Sequence, residues 1–134
     1  MHDGAGGPVQ IMRLDHVVLT VRDVAQTVAF YEQVLGLRHE VFGDGRHALG
    51  FGDQKINLHQ AGQEFEPKAA RPTPGSADLC FITRTPLPTV VDHLSARGVP
   101  VEHGPVEKIG ALGPMDSVYF RDPSGNLLEV SNYR

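Results

Sequence analysis

The feature that most constrains this chain is that it says the same thing twice. A short β-branched run, Leu14–Val21, is followed by a helical period, Val24, Val28, Tyr31 and Leu35, that stops at Gly36. Asp23 stands where an N-cap belongs. Three strand-like stretches follow, near Leu37–Phe42, Arg46–Phe51 and Lys55–Gln60, separated by the turn-forming Gly43-Asp44-Gly45 and Gly52-Asp53-Gln54. The pattern then restarts. Ala77–Thr83 reads as a strand, and Leu87, Val90, Val91 and Leu94 mark a helix closed by Gly98. Val99–Val106, Ser117–Arg121 and Asn126–Ser131 read as three more strands. Pro105 predicts that the first of these ends early or lies at an edge. Gly36 and Gly98 stand 62 residues apart, and the same step carries His16 onto Asp78.

Such a duplication predicts an α+β chain of two βαβββ units whose mostly antiparallel strands form a cupped sheet. The units span about 14–60 and 77–132. Residues 61–76 join them, with three prolines and two glycines and no regular period. With 134 residues the chain is the size of one domain, read as 12–134. The Gly-rich residues 1–11 read as a flexible leader without the apolar core of a signal peptide.

Charge and composition narrow the partners. Twelve Lys and Arg stand against sixteen Asp and Glu, a net charge of -4, which offers no electrostatic case for nucleic acid or an anionic membrane. No apolar run approaches the roughly 18 residues that span a bilayer. A single cysteine, Cys80, forbids an internal disulfide and a cysteine-based zinc site, and fits a reducing, cytoplasmic setting. Sharing a strand with Phe81 and Ile82, Cys80 reads as core filler.

Three stretches carry a resemblance. Leu14–Val21 resembles the opening strand of the glyoxalase/extradiol-dioxygenase (vicinal-oxygen-chelate) superfamily. Phe30–Leu37, FYEQVLGL, is similar to its helix end, and Phe120–Val130, FRDPSGNLLEV, to its closing hairpin. Phe51–His59, Glu64–Ala70 and Gly75–Cys80 resemble a subgroup that holds the vertebrate fifth glyoxalase-domain-containing protein and bacterial ring-cleavage-dioxygenase-like and virulence proteins.

The resemblance implies one divalent metal, Fe2+, Mn2+, Ni2+ or Zn2+, held by a residue on the first strand and one on the last strand of each unit. His16 and Glu129 match two of those positions. Imidazole and carboxylate are natural ligands for such ions. Where the family often has Glu or Gln, aligning Ile56-Asn57-Leu58 with Leu128-Glu129-Val130 puts Asn57. His59, two residues on and on the same face, is the better transition-metal ligand and is favoured here. Where relatives carry a second-unit histidine, this chain has Asp78, a ligand or a partner to one.

His16, His59 and Glu129 together would make a two-histidine, one-carboxylate set with open positions for two oxygens of a small-molecule substrate. Glu129 is then the expected catalytic base. Tyr119 and Arg121 are candidate pocket residues, as are the rims Glu64–Ser76 and Gly104–Pro114. The expected activity is lyase- or isomerase-like, or ring-cleaving, in a homodimer. The same resemblance admits a metal-free antibiotic-binding protein of the bleomycin-resistance type.

Overall fold

A computed structural model describes residues 6–134; the first five residues of the expected leader lie outside the described residues, and 6–11 are exposed and carry no helix or strand. The order is β1 (His16–Val21), α1 (Val24–Leu35), β2 (Arg38–Phe42), β3 (Arg46–Phe51), β4 (Gln54–Gln60), β5 (Asp78–Ile82), α2 (Leu87–Ala96), β6 (His103–Gly110), β7 (Gly113–Arg121) and β8 (Leu127–Tyr133). The strands form two four-stranded mixed sheets, β1-β4-β3-β2 and β5-β8-β7-β6. In each, the first strand runs parallel to the last and the other pairs are antiparallel. The two βαβββ units are therefore equivalent in topology.

Local chemistry explains the helix ends. The Asp23 carboxylate accepts from the Gln26 amide, meeting one of the free N–H groups of the first turn. Gly36 closes α1 at φ 67°, a left-handed position that glycine takes without a Cβ clash, and its N–H donates to the Glu32 carbonyl. α2 begins at Pro86 with no side-chain cap of its own. Instead the Leu87 amide donates to the Asn132 side chain, 2.9 Å away on β8. Gln60 at the end of β4 does the same for α1, accepting from the Val24 amide at 3.1 Å. In both units the last strand caps the unit's helix, so Gln60 and Asn132 are equivalent positions.

One apolar core takes side chains from both units. Leu19, Val21, Ile56 and Leu58 from the first sheet and Val118, Phe120, Leu128 and Val130 from the second belong to the same cluster, with Val28, Tyr31, Val34, Leu87 and Leu94 from the helices. Burying one such side chain contributes about 1.5–3 kcal/mol. Phe51 and Phe81 meet edge to face at 5.3 Å across the units. The His93 ring donates to the Val34 carbonyl at the end of α1. The units thus share the faces that bear the helices, and the opposite faces of both sheets point away from that core.

Two expectations change. Gly104–Pro114 is not a loop rim: it forms most of a long hairpin, with β6 starting at His103 and β7 at Gly113. Alternation hides this strand, because β6 is the outermost strand of its sheet and has little apolar face to show. Pro105 sits there without costing the sheet a hydrogen bond it needs. Gly104 is demanded by a close approach, since a Cβ would meet the Ser117 carbonyl oxygen at a φ of +101°. Cys80 is exposed rather than core filler, because Leu79 and Phe81 take the core face of β5. Among the described residues no helix is long and apolar enough to cross a membrane.

Candidate functional site

The faces turned away from the core carry the polar groups. On β1 the core face takes Val17, Leu19 and Val21, which leaves His16, Val18 and Thr20 on the other. Parallel pairing sets these beside Lys55, Asn57 and His59 of β4. On β5 the same alternation leaves Asp78, Cys80 and Ile82, paired with Leu127, Glu129 and Ser131 of β8.

The register is identical in the two units. Val18 pairs with Asn57, and Cys80 pairs with Glu129. His16 and Asp78 each lie two residues before those pairs. His16 is therefore diagonal to Asn57, and Asp78 is diagonal to Glu129, at a Cα separation of about 8 Å. That spacing lets two side chains converge. Asn57 is the equivalent of Glu129, as the shared capping role of Gln60 and Asn132 three residues later also requires.

His59 stands elsewhere. It pairs with Thr20, four residues beyond His16, so the two Cα atoms are about 14 Å apart. The structure does not bring His16 and His59 together. The His59 ring meets Phe65 edge to face at 5.6 Å, and the Arg46 guanidinium lies 4.2 Å over that same Phe65 ring. Burial first, and then the Arg46 charge, hold the His59 imidazole below its ordinary pKa of 6.5, which favours the neutral ring.

The donors near the two diagonals are specific. The His16 Nδ1 is 2.8 Å from the Asp15 carboxylate, an arrangement that fixes the ring and leaves Nε2 open. The Asn57 Oδ1 is buried and has no hydrogen-bond partner. A buried acceptor without a donor costs about 1–3 kcal/mol, so something is expected to satisfy it. Glu129 is 9% exposed. Its Oε2 accepts from the Ser131 hydroxyl at 3.3 Å, and Ser131 in turn meets the Ser117 hydroxyl at 2.6 Å. Tyr119 stands opposite Glu129 on the neighbouring strand; burial first, and then that carboxylate, push the Tyr119 pKa up to about 12, so it keeps its proton at neutral pH. The Cys80 thiol lies 3.4 Å from the Ser131 hydroxyl, and partial desolvation of the sulfur, in a residue otherwise exposed, raises its pKa and keeps it a thiol. Cys80, Ser117 and Ser131 were not among the expected site residues. The alternation of β5 is the signal that groups Cys80 with Asp78.

Arg121 is committed elsewhere. It binds the Glu102 carboxylate through two nitrogens, at 2.7 and 3.0 Å, and also the Gly125 carbonyl. Tyr133 accepts from the Leu112 amide at the hairpin tip. Among the described residues no three His, Cys, Asp or Glu side chains are grouped to hold a metal ion. The register instead sets the donors as two diagonals, His16 with Asn57 and Asp78 with Glu129, one on each sheet.

Residues 13–130 match the Glyoxalase/Bleomycin resistance protein/Dioxygenase superfamily. The chain is 58% identical to virulence protein STM3117 of Salmonella typhimurium over 92% of this chain and 85% of that protein. The crystal structure of that protein superposes with a TM-score of 0.91, covering 92% of this chain and 98% of the other. Identity to the glyoxalase domain-containing protein RDO1 of Mycosarcoma maydis is 49%, over 94% of this chain and 71% of that one. A lactoylglutathione lyase from Agrobacterium tumefaciens superposes with a TM-score of 0.68 at 26% identity, covering 90% of this chain and 92% of the other. With the duplicated βαβββ topology, these matches make the chain a member of the glyoxalase/bleomycin resistance/dioxygenase superfamily.

Proposed function

We propose that this protein is a metal-dependent enzyme that acts as a homodimer on a small substrate presenting two neighbouring oxygens. The observation that carries this reading is the pair of equivalent diagonals, with an orphaned Asn57 oxygen in one and a buried Glu129 carboxylate in the other. Each diagonal is half a ligand set. His16 and Asn57 from one copy, with Glu129 and Asp78 from a second, would hold one Fe2+, Mn2+, Ni2+ or Zn2+ ion. The donor types fit: one imidazole nitrogen and three oxygens suit a borderline divalent cation.

Exposed apolar side chains on those same faces support a second copy. Val18 is 46% exposed between His16 and Thr20, and Ile82 is 53% exposed beside Cys80. Strands β1 and β5 are also edges of their sheets. A two-fold pairing of copies would cover both.

Bound there, the ion would supply Lewis acidity toward an enolate or catecholate oxygen. The chain's own residues do the rest. Asp15 orients the His16 ring. Glu129, aligned by Ser131, accepts a proton from the substrate, and the protonated Tyr119 opposite it donates a hydrogen bond to the oxygen on which charge develops. The likeness to a lactoylglutathione lyase supports lyase or isomerase chemistry; ring cleavage is the other branch of the same family.

Elemental analysis of untagged protein tests the reading. About one ion per chain, two per dimer, lost in both His16→Ala and Glu129→Ala, is the expected result. Protein that holds no ion and takes up none on titration would sink it and leave a metal-free small-molecule binding role.

A further inference from the structure

A cavity of about 470 Å³ lies under the connector, between residues 67–77 and the outward face of β1 and β4. That volume is in the range of small-molecule pockets. Its charged lining is one-sided: Lys68 and Arg71 contribute cations and no Asp or Glu lines it, in a chain where acidic residues outnumber basic ones. The floor is Val18, Thr20 and His59, and Pro67 and Pro72 add apolar wall.

The wall is held in place. The Ser76 hydroxyl donates to the Thr73 carbonyl at 2.7 Å, and the Ala77 amide donates to the buried Asn126 side chain at 2.9 Å. Gly75 packs so closely on the Ser124 carbonyl that a Cβ would come within 2.7 Å of it. Lys68 pairs with Glu66 at 2.8 Å and feels Glu64 more weakly, but Glu66 is 71% exposed and the pair is a solvated one of little strength. Its ammonium remains able to exchange that partner for an anion in the cavity.

We propose that this cavity binds an organic anion, its carboxylate or phosphate held by Lys68 and Arg71 and its apolar body lying over Val18 and the connector prolines. The His59 ring and the Thr20 hydroxyl on the floor supply further polar contacts. Val18 and Thr20 pair with Asn57 and His59, so the cavity opens along the same sheet face as the His16–Asn57 diagonal. An anion bound there is placed to be the far end of the substrate. That last placement rests on the proposed metal site; binding of the anion does not.

Calorimetric titration of the full chain, first stripped of metal, with phenylacetate, phenyl phosphate and the uncharged phenylacetamide tests the proposal. The two anions bind at least about tenfold more tightly than the amide, and Lys68→Ala and Arg71→Ala each weaken anion binding by about tenfold. The double variant binds acid and amide alike, while Arg97→Ala, which removes a cation at the end of α2 outside the cavity lining, changes neither. Preference for phenyl phosphate or for phenylacetate names the anion. Equal binding of acid and amide by the unaltered chain, full affinity in the double variant, or no anion binding at millimolar concentration overturns the proposal. Metal content is measured on the same samples. Anion binding that persists in a chain unable to take up metal removes the proposed enzyme activity and leaves this site standing.

Discussion

The Tyr31 hydroxyl donates to the Asp122 carboxylate across 91 residues of sequence, in a buried hydrogen bond of 2.7 Å. This contact ties α1 of the first unit to the closing hairpin of the second. Asp122 also accepts from the backbone of Ser124 and Asn126 and from the Asn126 side chain. Two motifs that looked separate in sequence, FYEQVLGL and FRDPSGN, are therefore one structural joint. Burial, then the nearby carboxylate, pushes the Tyr31 pKa up, so it remains a donor at any pH the protein meets.

Tyr31→Phe leaves a charged, buried acceptor with one donor fewer. The expected loss of stability is about 1–3 kcal/mol, read as a lower urea midpoint at unchanged slope. Because the joint is remote from His16 and Glu129 in role, metal content per folded chain should not change.

Asn57→Leu is expected to do the opposite. It removes the orphaned Oδ1 and should leave the metal-free protein as stable as before or up to about 2 kcal/mol more stable. If Asn57 is half of a ligand pair, metal affinity falls in the same variant. Thermal unfolding with and without added Zn2+ reads both: a variant that is destabilised without metal and unaffected with it contradicts the assignment.

Tyrosine absorbance at 295 nm, followed to high pH, should show a step near 12 that disappears in Tyr119→Phe. Glu129→Gln moves that step down, because the carboxylate no longer opposes phenolate formation. It does not return to 10.0, since burial is the larger cause. An unmoved step would mean that the Glu129 carboxylate does not act on the Tyr119 phenol.

The His59 ring gives stability a defined slope with pH. Its pKa is depressed in the folded state, so the unfolded chain binds the proton more readily. The contribution is complete above 6.5 and declines as pH falls below it. Melting temperatures measured from pH 7.5 to 5.0 should show this decline, and His59→Gln should flatten it. An identical slope in the variant would assign the acid sensitivity to other groups.

Sedimentation equilibrium at micromolar concentration should give twice the 14.6 kDa chain mass. Ile82→Glu, which places a charge on an exposed apolar strand face, should shift the population toward monomer and lower metal content together. A dimer lost with metal content intact would place the whole ligand set within one chain.

Periodicity carried the architecture. The β-branched runs, the helical spacing of Val24, Val28, Tyr31 and Leu35, and the glycines at 36 and 98 mark local backbone preferences, which act over a few residues and so are legible there. The equivalence of His16 with Asp78 followed from the same 62-residue step, and family resemblance pointed to His16 and Glu129. What the sequence left open was which residue joins His16. His59 is chemically the stronger ligand, and only the parallel register of β1 on β4 shows it four residues too far along the strand. Register depends on pairing between segments some forty residues apart, and no local signal encodes it. The outermost strand β6 was obscured for a related reason, since it buries too little apolar surface to alternate clearly. The separation of the donors onto two outward faces was likewise decided only in three dimensions, by the shared core that binds the helix-bearing faces together and leaves the ligand-bearing ones turned outward.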